Sequence, residues 1–229
     1  KVKFKNGTTQ ILPTDTAMKL ANITTSISTK KVPKKLTRRY LLQQEDWPDW
    51  KNSEYKQLKQ YEDQQTFGKP IPYPKGANLL NLIWTYIKKD DGTKKARCVC
   101  NGSPNRKGTV TIGETYAASL DQTGSRIFWA VAALWNWIII GADASNAFAE
   151  APPPKAKLYV TIDKPFREWW TSLGQTPLPE HYVLPVQKAL QGHPESPRLW
   201  AQMIDSIIQK LNLLPCKHEQ CLYYTNNYN

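Results

Sequence analysis

Acidic side chains are in short supply in this chain. Its 229 residues carry 19 Asp and Glu against 31 Lys and Arg, a formal net charge of +12. Such an excess points to a polyanionic partner, most often nucleic acid. Cysteine is scarce as well. Cys98, Cys100, Cys216 and Cys221 are too few for a disulfide framework in a chain of this length. The three histidines, His181, His193 and His218, fall in no triad or metal motif, so a hydrolase finds no support. Two further absences bear on location. The opening Lys-Val-Lys-Phe-Lys has no apolar signal core, which leaves an intracellular site, cytoplasmic or nuclear, as the expectation. The longest apolar run, Ile127 to Ala142, carries Asn136 and runs into Asp143, short of the roughly 20 residues a membrane span needs. With 40% apolar and 22% charged residues, the chain has the composition of a folded protein.

The charge is unevenly spread. Residues 1–39 hold ten basic side chains and one acid, Asp15, whereas residues 40–229 hold 21 basic and 18 acidic ones. Residues 1–45 therefore read as a basic leader, mostly a disordered linker. It opens with KVKFKNGTTQIL, two alternating runs around Asn6-Gly7 that predict a β-hairpin. The following NITTSISTKKVPKKLTRR is polar and basic with no apolar stripe, the pattern of a tether. A folded domain is expected over residues 46–229.

Within that domain the spacing of Tyr55, Leu58 and Tyr61 predicts a helix over Trp50–Phe67, capped by Asp49 or Asn52. Residues 81–88 alternate as a strand, a Lys-rich turn follows, and residues 96–100 return as its partner. A helix is expected over residues 123–136, capped by Thr123 or Ser125, with Ile127, Ala130, Val131 and Leu134 on one side. The β-branched run from Trp137 to Ala142 predicts a buried strand that ends at Asp143. A short helix over 147–150, strands at 158–162 and 181–186, an amphipathic helix over 197–213 opened by Pro197, and a strand from Leu222 complete the order.

Asp143 is the most informative residue. A carboxylate straight after Ile138-Ile139-Ile140 is not a packing residue, because an unpaired buried charge is costly. At a strand end it can meet a cation such as Mg²⁺, which takes one or two carboxylates plus water and phosphate oxygens. It also suits the cap of the short helix that follows.

The string Gly141-Ala-Asp-Ala-Ser-Asn-Ala-Phe-Ala-Glu resembles the first catalytic motif of reverse transcriptases of copia-type retrotransposons. Five more segments resemble the same family in the same order. They are Trp50-Lys-Asn-Ser-Glu-Tyr with the Lys88–Gly102 hairpin, Glu114-Thr-Tyr-Ala, the run from Val186 through Gln-Gly-His-Pro to Trp200, and Cys221-Leu-Tyr-Tyr. The matches span residues 47–224, and their collinearity makes them specific where each alone is weak.

The resemblance implies an α+β fold, a partial polymerase of fingers and palm: a mostly antiparallel sheet backed by the helices at 123–136 and 197–213, with the 82–100 hairpin as fingers. It implies two-metal nucleotidyl transfer with Mg²⁺ or Mn²⁺, two ions in the intact site, on an RNA template and a DNA primer with dNTPs as substrate. Asp143 would be the catalytic carboxylate and metal ligand, and the backbone carbonyl of Ala144 a second ligand. Phe148 would crowd a ribose 2′-hydroxyl, although composition also allows a plain core Phe. Lys95 and Arg97 would reach the triphosphate, and Gln191 and Gly192 would lie under the nucleotide. Lys88, Lys89 and Lys94 would form a solvated tip that touches the template backbone.

One departure stands out. After Asp143 the acids are Glu150, Asp163, Glu168, Glu180, Glu195, Asp205 and Glu219, with no adjacent pair, and Asp90-Asp91 belongs to a turn. The expectation is a domain cut before its second carboxylate motif, inactive alone and with an apolar face exposed. Two rivals remain. A zinc site could be assembled from the four cysteines and His218, but their spacings are not those of structural sites, and Cys98 and Cys100 read as core and surface positions of a strand. A non-catalytic fragment could instead bind nucleic acid through the basic leader.

Overall fold

The computed structural model describes residues 36–103 and 115–225, together with the backbone of two short strands near the N-terminus. The chain divides into two units, Lys1–Leu36 and Thr37–Asn229. In the first, β1 (Val2–Lys3) pairs antiparallel with β2 (Thr9–Gln10), placing Val2 opposite Gln10, the hairpin expected around Asn6-Gly7. Most of the tether and Glu114 lie outside the described residues.

The second unit opens with α1 (Arg38–Leu41), where Thr37 Oγ1 accepts from Tyr40 N at 3.3 Å. Arg38, grouped with the leader by composition, is tied into this unit. Its Nε donates to Glu54 Oε1 at 2.9 Å, and its Nη2 reaches both Glu54 Oε2 at 3.2 Å and Glu168 Oε2 at 2.5 Å. Glu54 is fully buried, and Tyr86 OH also donates to it, so the carboxylate accepts three hydrogen bonds from two residues. Glu54 sits on α2 (Trp47–Asp63), which starts earlier than the periodicity predicts because Pro48 suits a first turn. Neither Asp49 nor Asn52 caps it; the N-cap is Asp46, which makes no capping bond.

Helix α2 lies against the hairpin of β5 (Leu82–Lys88) and β6 (Lys94–Cys100), which pair from Leu82–Cys100 to Lys88–Lys94. The turn closes as its residues dictate: Asp91 Oδ1 accepts from Thr93 N at 2.8 Å, and Gly92 takes φ +83°. Ala96, Cys98 and Cys100 face inward and Lys95 and Arg97 outward. Cys98 and Cys100 are therefore both core residues, not one core and one surface, since positions two apart share a strand face. Tyr61 OH bonds the Cys98 carbonyl at 2.6 Å, locking helix to hairpin.

A four-stranded sheet runs in the order β3 (Ile71–Pro72), β8 (Tyr182–Pro185), β7 (Leu158–Thr161), β4 (Asn78–Leu80). Two of its pairings are antiparallel, but β4–β7 is parallel, so the sheet is mixed. Leu80, Val160 and Leu184 from this sheet join Leu58 and Tyr61 of α2 in the main core. Full burial of one such leucine contributes about 1.5–3 kcal/mol. Phe166 and Trp169 enter the same core from α4 (Lys164–Ser172), capped by Asp163, whose carboxylate accepts from Phe166 N at 3.0 Å and Trp84 Nε1 at 2.6 Å.

Helix α3 (Gln122–Leu134) forms, capped by Asp121 rather than Thr123 or Ser125. It does not back the sheet: only Gly124 and Ala132 are buried, and Leu134 is 78% exposed. Helix α5 (Ser196–Lys210) packs instead on the 3₁₀ turn at Ala147–Glu150 and on β9 (Leu214–Pro215), which pairs with β10 (Tyr223–Tyr224). The sheet is packed by α2 and α4, contrary to expectation. The buried strand expected at Trp137–Ala142 is also absent. Those residues are coil, and Ile138 and Ile140 are 92% and 89% exposed. A strand needs a neighbour for its N–H and C=O groups. Among the described residues no strand pairs with this segment, and its Trp137 N–H turns back to the Ala132 carbonyl at 2.9 Å. The architecture is α+β, with small sheets and helices.

Candidate functional site

The outward face of β6, the coil after Ile140 and the loop after Leu190 meet around a cavity of about 300 Å³. Lys95, Arg97, Asp143, Ala144, Phe148 and Gln191, six residues singled out by sequence, line it together. Strand alternation aims Lys95 and Arg97 into it, since Ala96 between them is buried and its N–H bonds Ser53 Oγ of α2 at 2.7 Å. Burial lowers the pKa of Lys95, with the cations Arg97, Lys89 and Lys56 acting the same way and Asp143 pulling against them.

Asp143 lies exposed in coil, not at the end of a buried strand. The chain is held just beyond it. Asn146 adopts φ +52°, its Nδ2 donates to Gln64 Oε1 at 2.6 Å, and Gln64 Nε2 reaches Glu150 Oε1. Phe148 is half-buried: it packs against Ala151, Ala189 and Leu199 while also lining the cavity. Core packing and a cavity-facing ring are thus both present in one side chain. Gln191 is fixed by Cys100 N, which donates to its carbonyl at 2.8 Å.

Four expected residues lie outside this cavity's lining. Gly192 does not line the cavity. At φ +95° a Cβ there would lie 2.2 Å from the Cys100 carbonyl, so the close approach that requires glycine is to β6 and not to a ligand. Lys94 is no free tip residue. Its Nζ sits 2.8 Å from Asp46 Oδ2 and 2.6 Å from Asp49 Oδ2, and this pairing raises its pKa while pinning the hairpin to the start of α2. Lys88 and Lys89 stay exposed beside the turn but outside the cavity.

Gln57 and Gln60 of α2 also line the cavity and were not anticipated. Their only sequence signal is the spacing of Gln57, Gln60 and Gln64 along one side of a helix. A larger cavity, about 780 Å³, lies between α5, the β9–β10 hairpin and residues 116–118, but Asp143 is not in its lining. All four cysteines are free thiols, and among the described residues no group of three His, Cys, Asp or Glu could hold a metal ion. The cysteines thus supply no zinc site there.

The site gathers two cations, an aspartate and an aromatic ring in one concave space on an α+β frame. The family described as reverse transcriptase (RNA-dependent DNA polymerase) matches residues 67–228. The chain belongs to that family, as its copia-type motifs imply. It is similar to the retrovirus-related Pol polyprotein from transposon TNT 1-94 of Nicotiana tabacum, 26% identical over 161 residues. That alignment covers 68% of this chain and 11% of the polyprotein, so the chain spans about a tenth of that relative's length. No solved structure matches the chain.

Proposed function

We propose that this domain binds a deoxynucleoside triphosphate at the Lys95–Arg97 cavity, beside an RNA template and a DNA primer. In this reading it serves RNA-directed DNA synthesis without completing nucleotidyl transfer alone. The observation that carries it is the convergence of Lys95, Arg97, Asp143, Phe148 and Gln191, distant in sequence, on one cavity. Lys95 and Arg97 would hold the triphosphate through charge-assisted hydrogen bonds. The free edge of Phe148 would exclude a ribose 2′-hydroxyl. Lys88 and Lys89, exposed at the hairpin turn, would lie along template phosphates. These residues would be the fingers of the family's fold, and the mixed sheet part of its palm.

The residues present do not fit a two-ion site. Among the described residues Asp143 and Ala144 line the cavity but no second Asp or Glu does, and no adjacent acidic pair follows Asp143 in the given sequence. A lone carboxylate beside two cations suits nucleotide binding better than bond formation. Primer extension with Mg²⁺ or Mn²⁺ tests this: no sustained dNTP incorporation is expected. Incorporation that Asp143→Asn abolishes would overturn the claim.

No helix among the described residues is long and apolar enough to cross a membrane.

A further inference from the structure

We propose that Lys56, at the rim of the Lys95–Arg97 cavity, is a third cation for the polyphosphate held there. Lys56 lies on α2 between two residues tied to the site. Three residues before it, Ser53 Oγ accepts at 2.7 Å from the N–H of Ala96, the residue between Lys95 and Arg97. Four residues after it, Gln60 lines the cavity. Positions three and four apart are neighbours on a helix surface, so Ser53, Lys56 and Gln60 form one row along the side of α2 that meets β6. Lys56 is exposed and outside the lining, which leaves its long flexible stem able to bring the ammonium over the cavity mouth.

Charge points the same way. Among the described residues Lys56, Lys95 and Arg97 enter no ion pair, whereas Lys59 is held by Glu62 at 2.9 Å and Asp63 at 2.8 Å. Lys56 is also near enough for its charge to act against protonation of Lys95. The lining has one acid, Asp143; its other side-chain oxygens, on Ser145, Asn146 and the glutamines, are neutral. Lys95 and Arg97 against Asp143 leave a surplus of one positive charge, and Lys56 makes it two. Cations gathered without counter-charges repel one another, and a compact anion carrying several charges relieves that repulsion.

The inference rests on the reading of the cavity as a triphosphate site, and the experiment separates the two. Inorganic triphosphate is titrated into the protein by calorimetry in metal-free buffer. At about 20 mM salt, Lys56→Ala is expected to weaken binding about 3- to 10-fold, the effect of one solvated charge beside a multiply charged ligand. At about 300 mM salt that gap should shrink below about 2-fold, because exposed charges are screened first. Lys56→Arg keeps the charge and should bind as the parent does, and both variants should melt within about 2 °C of it. Lys164→Ala takes an equal charge from α4, outside this row, and should change affinity less than about 2-fold. Lys95→Ala and Arg97→Ala report on the cavity itself. If they lose binding while Lys56→Ala retains it, the role of Lys56 is refuted and the cavity stands. A loss at Lys56→Ala that Lys164→Ala or Lys56→Arg shares, or that salt does not reduce, also refutes it. If the parent fails to bind, or if the Lys95 and Arg97 variants bind as the parent does, the triphosphate reading falls and takes this inference with it.

Discussion

Replacing Arg38 by leucine strands the carboxylate of Glu54. The guanidinium bonds both Glu54 oxygens and extends to Glu168, while the Glu54 side chain is 0% exposed and that of Arg38 15%. Removing one partner of such a pair costs about 3–5 kcal/mol, since the charge left behind has no water. Loss of the Glu168 contact adds little, because that carboxylate is 32% exposed and half-solvated pairs are worth about 0–1 kcal/mol. Against a typical total stability of about 5–15 kcal/mol, the change is severe. For a domain of this size each kcal/mol moves Tm by about 2–4 °C, so a fall of about 6–20 °C is expected. Urea and thermal denaturation followed by circular dichroism measure it. The double variant Arg38→Leu with Glu54→Gln should recover most of the loss: the amide carries no charge and still accepts from Tyr86 OH. A loss below about 1 kcal/mol for Arg38→Leu, or a double variant no more stable than the single, would refute the assignment of Glu54 as a buried, Arg38-dependent charge.

Two other outcomes follow from the site and the surface. Because Lys95 holds its proton less firmly than an ordinary lysine, its charge disappears as pH rises through that lowered value, and triphosphate affinity should fall with it. Lys95→Arg should flatten the decline as pH rises toward about 10.5, the ordinary lysine value, since guanidinium stays charged; a parent protein whose affinity is constant up to that pH contradicts the role of Lys95. Ile138→Ser with Ile140→Ser should reduce aggregation in light scattering and leave stability within about 0.5 kcal/mol, as both side chains are almost wholly exposed. A loss above about 1.5 kcal/mol would mean that they are packed.

Local chemistry made much of this fold legible. The hairpin is written in Asp91-Gly92 and in the alternation of β6, which is also why Lys95 and Arg97 could be assigned to one outward face. Pro197 marked the first turn of α5. Helix α4 was missed although its signals were present: Asp163 as cap, Pro165 in the first turn, and aromatics at 166, 169 and 170. The run Trp137–Ala142 misled for a different reason. Apolar periodicity reports what a segment would bury, and says nothing about whether a pairing strand is supplied. Lys94 was misplaced because the carboxylates that hold it, Asp46 and Asp49, lie on a helix some 45 residues away, as the sequence separation of its bond to Asp49 records. Gln57 carried only its helical spacing with Gln60 and Gln64 as a signal, since its place at the cavity is visible only once its neighbours are in position.

The backbone contact at Gly192 has a consequence for how this site drifts. Gly192 lies against the Cys100 carbonyl, and a Cβ on Gly102 would in turn stand 2.1 Å from the Gly192 carbonyl. Main chain touches main chain there, so the gauge of the cavity between β6 and Gln191 is a backbone dimension. Substitutions at Lys95, Arg97 or Gln191 can change the chemistry painted on those walls without altering their spacing. The opposite wall has no such gauge: among the described residues, no backbone hydrogen bond holds 138–145. One side of the cavity is thus set by main chain against main chain, whereas the wall that carries Asp143 is held through side chains, as in the bond from Asn146 to Gln64.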